Sequence, residues 1–136
     1  MKRIVLMLIA IKMKKILSLL LLPLLLAGCT SITNLTPSQY TREPSGMYRV
    51  EAAWQSRRST INPTSFQPVV VIGFDTYPMR PVPVVQDRWE ALIPVPPDKD
   101  SILYRYKFDY EVYAVSRTHA DSLMSPEYTL KIRDKK

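Results

Sequence analysis

Cysteine and histidine, which are common nucleophiles, bases and metal ligands, are scarce in this chain of 136 residues. It has one cysteine, Cys29, and one histidine, His119, which lies in the polar segment 116–122, where we expect a solvated loop. Neither residue has neighbours at metal-ligand spacing, and three glycines are too few for a phosphate-binding loop. Nothing in the spacing of the acidic residues predicts a catalytic pair or a calcium loop. Asp75, Asp87 and Glu90 are the carboxylates that could in principle pair, and Asp98 and Asp100 are the two acids that could suggest a calcium loop.

We therefore predict a protein that is not an enzyme and that has no metal site and no dissociable cofactor. The chemistry that can be assigned belongs to Cys29, which ends the tetrad Leu26-Ala27-Gly28-Cys29. This tetrad resembles the lipobox of bacterial lipoproteins. The resemblance implies cleavage between Gly28 and Cys29, a diacylglyceryl group on the thiol sulfur, and an N-acyl chain such as palmitate on the new amino terminus. Lipidation also accounts for an unpaired cysteine in an exported chain.

The segment before Cys29 has the two parts of a secretory signal. Lys14 and Lys15 precede an apolar run at 16–27, which is shorter than the roughly 20 residues that span a bilayer. We predict a signal peptide over 1–28. The sequence Met13-Lys14-Lys15 resembles an ordinary signal-peptide start, so translation begins at Met1 or at Met13.

A transmembrane helix over 4–27 is the alternative interpretation of this segment. It would place Lys12, Lys14 and Lys15 inside the span, where each lysine costs about 2.5–3.5 kcal/mol at a helix centre. The charge favours the signal peptide.

Most of the net charge of +7 belongs to the predicted signal peptide. Five of the 19 Lys and Arg lie in residues 1–28, which hold no acid, so 14 remain against 12 Asp and Glu. Because no basic cluster remains, we predict no nucleic-acid binding. Thr30 follows Cys29, in place of the Asp that commonly retains lipoproteins in the inner membrane. The predicted location is the cell envelope, and the outer membrane rather than the inner one.

The chain after Cys29 divides into two parts. Residues 30–46 are rich in Ser, Thr, Pro and Asn, which predicts a flexible tether. From 47 to 134 apolar and polar residues alternate with period two, most clearly over 102–115. Pro81 and Pro83 predict an edge strand. Six or seven short strands predict an all-β fold, an immunoglobulin-like antiparallel β-sandwich, with a small β-barrel as the alternative.

Three segments, 71–79, 88–94 and 104–108, resemble early-set immunoglobulin-like domains, which include glycogen-binding modules. In that family a strand enters a Gly-Asp-Phe-Asn-x-Trp turn, and a Trp-Glu strand and a Tyr-x-Tyr-Lys-Phe strand follow. Here the turn at 73–75 reads Gly-Phe-Asp and departs from that order, and Tyr77 stands near the position of the turn tryptophan. The resemblance implies the sandwich fold and a glycan ligand.

The aromatic residues lead to two functional interpretations. A row of aromatic side chains with period two at 104–110 is predicted to fill the core, whereas Tyr113 and Val115 place apolar groups on the polar face, for a partner or for cover by the tether. We predict a lipid-anchored envelope protein whose sandwich contacts another envelope protein or serves structurally. The alternative is a carbohydrate-binding module. Its stacking rings would be Tyr77, Trp89 or Trp54.

Overall fold

The structure, a computed structural model, describes residues 1–21 and 29–135. One helix, α1, spans Lys2–Leu21, and ten β-strands follow. Within these two ranges no helix combines the length and apolar character needed to cross a bilayer. The predicted lipobox residues before Cys29 lie outside the described residues. The strands are β1 (Thr30–Asn34), β2 (Gln39–Thr41), β3 (Met47–Ser56), β4 (Gln67–Ile72), β5 (Asp75–Pro78), β6 (Arg80–Pro81), β7 (Arg88–Pro94), β8 (Ser101–Tyr113), β9 (Thr118–Met124) and β10 (Tyr128–Arg133).

The strands form two sheets that enclose one core. The first sheet has the order β1-β3-β7-β6, with every pair antiparallel. The second has the order β2-β10-β8-β4-β5, and β9 pairs with β8 beside β10. This order corresponds to the immunoglobulin plan, in which strands A, B, E and D form one sheet and C, F and G the other. The predicted sandwich is confirmed. The barrel alternative is wrong, because in the described part of the chain the sheets are hydrogen-bonded separately.

Aromatic rings join the two sheets through β3 and β8. Trp54 stacks on Phe108 with ring centroids 5.1 Å apart, and Phe66 meets the two rings edge-on at 5.0 and 6.3 Å. In antibody domains a disulfide links the corresponding B and F strands. The predicted inner faces of both strands are buried, since alternation places every second side chain in the core.

The predicted flexible tether at 30–46 is wrong. β1 pairs with β3 from Thr30↔Ser56 to Asn34↔Ala52, and β2 pairs in parallel with β10. Each strand supplies one apolar side chain to the core, Ile32 from β1 and Tyr40 from β2. β1 and β2 need few apolar residues, because backbone hydrogen bonds to their neighbouring strands hold them in the sheets. The sandwich therefore begins at Thr30 rather than at residue 47.

The strand count also exceeds the prediction of six or seven. Part of the excess is β9, which occupies the segment expected to be a loop around His119 and pairs with β8 from Lys107↔Met124 to Tyr113↔Thr118. β9 was missed because it lies at an edge and buries little apolar surface. Pro81 forms the short edge strand β6, as predicted, and Pro83 lies in the turn beyond it.

A bulge divides β9 from β10. Between the pairs Lys107↔Met124 and Tyr104↔Tyr128, two residues of β8 face three residues of the partner strand. Ser125 is buried there. Its Oγ accepts a hydrogen bond from the Tyr106 N–H at 2.9 Å, and its N–H donates to the Tyr106 carbonyl at 2.8 Å. The bulge therefore stays bonded to β8.

Replacing Trp54 with alanine is expected to destabilise the sandwich by about 3–5 kcal/mol, because it removes the ring shared by both sheets and leaves a cavity. Leu103→Ala, at an exposed position of β8, should change the free energy of unfolding by about 0.5 kcal/mol or less. Urea unfolding followed by far-UV circular dichroism measures both. Equal effects of the two variants would show that the ring cluster does not hold the sheets together.

Candidate functional site

Cys29 is exposed and lies directly before β1. The first residue of that strand, Thr30, pairs with Ser56, and their hydroxyl oxygens lie 2.9 Å apart. Any group attached to the Cys29 sulfur is therefore held close to the end of the sandwich, with no spacer between them.

Backbone contacts define two ends of the sandwich. One end, which we name the anchor end after the lipid anchor predicted on Cys29, consists of Cys29, the loop 57–60, the turn 82–87 and the hairpin tip 114–117. The turn and the tip are held there because the Trp54 N–H donates to the Asp87 carbonyl at 2.8 Å and the Tyr113 N–H donates to the Thr60 carbonyl at 2.7 Å. The distal end consists of the turn 42–46, the loop 95–100 and the end of β10. Arg42 joins the parts of the distal end through ion pairs to Asp100 at 2.6 Å and to Asp134.

A buried polar cluster connects the N-terminal segment to the core. The Tyr106 hydroxyl oxygen lies 2.9 Å from Asn34 Oδ1, 2.9 Å from the Glu51 carbonyl oxygen and 2.7 Å from Thr36 Oγ1. Thr36 Oγ1 also accepts a hydrogen bond from the Glu51 N–H at 2.8 Å, and the Tyr104 hydroxyl donates to Asn34 Oδ1 at 3.2 Å. This cluster fixes the segment between β1 and β2 against β3 and β8.

Burial raises the pKa of the Tyr106 hydroxyl well above its ordinary value, because a phenolate would lose its hydration there. Burial likewise raises the pKa values of Tyr40 and Tyr110. At neutral pH these hydroxyls are therefore protonated, and they form hydrogen bonds within the fold.

Trp54 and Trp89, the two tryptophans predicted as stacking rings for a sugar, belong to the core or pack against it. Trp54 is only 5% exposed. Trp89 is half-buried, with its ring centroid 6.2 Å from those of Phe66 and Phe108. Trp54 presents no face to a ligand, and Trp89 presents only part of one, so the two do not form an exposed stacking pair.

Tyr77 is half-buried and lines an open cleft of about 470 Å³ at the distal end. The cleft lies between the start of β3, the β4–β5 hairpin and the end of β7. Its lining is mainly apolar, with charged groups at the rim. The apolar lining includes Met47, Ile72, Tyr77, Pro94, Pro97 and Ile102, and the rim includes Arg42, Glu43 and Asp75. Its volume lies within the range of known ligand clefts, which are also lined mainly by apolar residues.

Tyr113 and Val115 lie at the anchor end, where Tyr113 is 52% exposed and Val115 is fully exposed. The N-terminal segment does not cover them, because β1 and β2 pair elsewhere. The structure thus separates the predicted binding residues, with Tyr77 at the distal end, Tyr113 at the anchor end, and the tryptophans between the sheets.

The register places two carboxylates side by side on the outer face of the first sheet, which the sequence did not predict. Glu51 lies opposite Glu90 on β7. The Glu90 side chain is only 8% exposed and pairs with Arg49 at 3.3 Å and with Arg80 at 3.0 Å. Glu51 pairs with Arg88 at 3.3 Å. Because arginine neutralises both carboxylates, the pair is suited to holding strands together rather than to acid–base catalysis.

The other predicted candidates remain apart. Asp75 lies at the distal cleft and Asp87 in the turn at the anchor end. His119 is exposed on β9. Among residues 1–21 and 29–135, no three His, Cys, Asp or Glu side chains are grouped so that they could hold a metal ion.

No protein-family model matches the sequence, and no curated protein matches it. A solved structure of murine CRIg is similar in fold, with 11% sequence identity and a TM-score of 0.40 over 78% of this chain and 99% of that chain. This likeness is too distant to inform function.

Tyr106→Phe is expected to lower the free energy of unfolding by about 0.5–1.5 kcal/mol, because it removes the hydrogen bonds of the hydroxyl. Asn34 Oδ1 and the Glu51 carbonyl keep other donors, the Tyr104 hydroxyl and the Leu35 N–H. The same change at exposed Tyr113 is the matched control and should have no measurable effect. Urea unfolding at pH 7 compares the two variants. An unchanged stability in Tyr106→Phe would show that the cluster does not hold the N-terminal segment.

The raised pKa of Tyr106 also predicts an alkaline dependence. The stability that the buried Tyr106 hydroxyl contributes is fully present below about pH 10, because tyrosine is then protonated in the unfolded chain as well. It is lost as the pH rises towards the folded pKa, at up to about 1.4 kcal/mol per pH unit for this group. In Tyr106→Phe the decline should be shallower, with the remainder due to Tyr40 and Tyr110. Unfolding curves from pH 8 to 11.5 test this, and identical slopes would contradict it.

Proposed function

We propose that the chain is a non-enzymatic lipoprotein of the cell envelope, anchored through acyl chains on Cys29, whose sandwich acts as a protein-interaction module. The observation that carries this proposal is the position of Cys29, exposed and one residue before the first strand at one end of the fold. A lipobox-like sequence precedes a residue that is accessible to modification and is not needed by the core. The outer membrane is the proposed location.

The distal cleft supports an interaction role. An anchor on Cys29 turns the distal end away from the bilayer, so the cleft containing Tyr77 faces the aqueous side. Its apolar lining with a charged rim has the general composition of protein contact sites.

Glycan binding is supported less well by the arrangement of the aromatic rings. Sugar stacking requires exposed faces, whereas Trp54 is buried and Trp89 is largely covered by Phe66 and Phe108. Of the three rings, Tyr77 lines an open cleft. Protein contact is therefore the function that we propose, and recovery of polysaccharide is an outcome that would replace it.

Mass spectrometry of the membrane-extracted protein tests the anchor. We expect the mature chain to begin at Cys29 with three acyl chains, and Cys29→Ala to leave an uncleaved chain with Met1 or Met13 at its start. Thr30→Ser should be processed normally and serves as the control. A mature cysteine that carries no lipid would contradict the proposal.

Affinity purification from the native membrane tests the interaction. The wild-type protein should bring down a fixed set of envelope proteins, Tyr77→Ala should lose most of that set, and Tyr113→Ala should retain it. Tyr77 packs partly against the core, whereas Tyr113 is 52% exposed, so urea unfolding of both variants must show that Tyr77→Ala is folded under the conditions of the purification. Equal recovery with Tyr77→Ala, or recovery of polysaccharide alone, would overturn the assignment of the cleft to a protein partner.

A further inference from the structure

We infer that the anchor end of the sandwich is itself a membrane-binding surface, which docks on a bilayer of anionic phospholipids. This inference rests on the proposed lipidation of Cys29 and goes beyond it. It states that the folded domain touches the lipid headgroups in one orientation, in addition to the acyl chains that hold it.

Exposed valines occupy the two tips that flank Cys29. Val84 and Val115 are fully exposed, and Val85 is 42% exposed. These valines contribute nothing to the core and are carried on turns that project beyond the last strand pairs. Apolar side chains at projecting tips, beside an anchored chain, are placed to enter the boundary between headgroups and acyl chains.

The backbone of Val84 has a conformation that valine disfavours. Its φ is +66°, a region that β-branched residues rarely adopt. The Val85 N–H donates to the Val82 carbonyl at 3.4 Å, so Pro83 and Val84 occupy the central positions of a tight turn. With proline second and positive φ third, this is a type II pattern, whose third position normally holds glycine. Contacts within the chain do not offset this strain, because the side chain is fully exposed.

The charges at the anchor end favour anionic lipids. Arg57 follows Ser56, the partner of Thr30, and Arg117 lies in the hairpin tip beside Val115. Both are exposed, and neither forms an ion pair within the described ranges. Asp87 is the exposed acid of this end. At the distal end Arg42 is instead paired with Asp100 and Asp134, and exposed residues of both charges, such as Asp98, Lys99 and Arg133, lie in the same region.

The location of Cys29 indicates that this surface contacts a bilayer. β1 is paired with β3 from its first residue, so acyl chains on Cys29 bring the anchor end to the headgroups before any other part of the domain. Basic groups near such a surface add to hydrophobic anchoring, and the electrostatic part is screened by salt.

Tryptophan quenching by brominated acyl chains tests this inference. The membrane-extracted protein is reconstituted into vesicles of phosphatidylethanolamine and phosphatidylglycerol, at a ratio of about 7:3, with brominated acyl chains. Val115→Trp places a reporter at the anchor end. Leu103→Trp, exposed near the start of β8 and far from Cys29, is the matched control, and Trp54 and Trp89 are the common background. We expect quenching of the new tryptophan to be several-fold stronger in Val115→Trp.

Two further variants, made in the Val115→Trp background, separate the contribution of the arginines from that of Val84. Arg57→Glu combined with Arg117→Glu should lower the quenching several-fold at low salt and have little effect at 1 M salt. Val84→Gly should raise the thermal unfolding midpoint, since glycine accepts the positive φ, while it lowers the quenching about twofold. That pair of opposite changes is not expected from a residue that matters only to folding.

The mass of the Cys29 peptide, measured on the same samples, distinguishes this inference from the proposed function. If Cys29 is acylated and the two tryptophans are quenched equally, the docking surface is refuted and the anchor stands. If Cys29 carries no lipid, the anchor fails, and stronger quenching of Val115→Trp in vesicle-bound protein would still support the surface. Equal quenching in the unlipidated protein would refute both.

Discussion

The hydroxyl group of Tyr106 holds together three parts of the chain that are far apart in sequence. It contacts Asn34 at the end of β1, Thr36 in the segment after β1, and the Glu51 carbonyl in β3. Its own strand, β8, lies at the centre of the second sheet. An unpaired polar group in this position would be costly, so the polar residues of the N-terminal segment are as much a part of the core as its rings. That contact holds the end of β1 and the residues after it against β3 and β8.

The two ends of the sandwich follow from this arrangement. Because β1 begins at Thr30 and runs antiparallel to β3, Cys29 lies at one end and the cleft with Tyr77 at the other. The ion pairs of Glu51 and Glu90 on the outer face of the first sheet join β3, β6 and β7, and those of Arg42 join β2, the loop after β7 and the C-terminus. The charged residues near the sheets thus hold strands in place, while Arg57, Arg117 and three exposed valines lie at the end that carries Cys29.

Sequence periodicity predicted the central part of the fold and missed its edges. The alternation in β3 and β8 is strong because each buries a full row of side chains, and the aromatic row at 104–110 was correctly assigned to the core. β1 and β9 were missed because an edge strand buries little, although Thr30, Ile32 and Thr33 are β-branched and favour strands. The pairing of Glu51 with Glu90 and the separation of Tyr77 from Tyr113 depend on strand register and on the order of strands in each sheet. These are non-local properties that no short window of sequence contains.

Because aromatic rings rather than a disulfide link the two sheets, the domain can fold in a reducing or in an oxidising compartment. Trp54, Phe66 and Phe108 need no oxidant to come together, and the chain's single cysteine takes no part in the core. The stability of the sandwich is therefore independent of the thiol–disulfide balance of its compartment. It is the same in a reducing cytosol and in an oxidising periplasm, so no redox step delays folding, and a reductant added during purification reaches only Cys29.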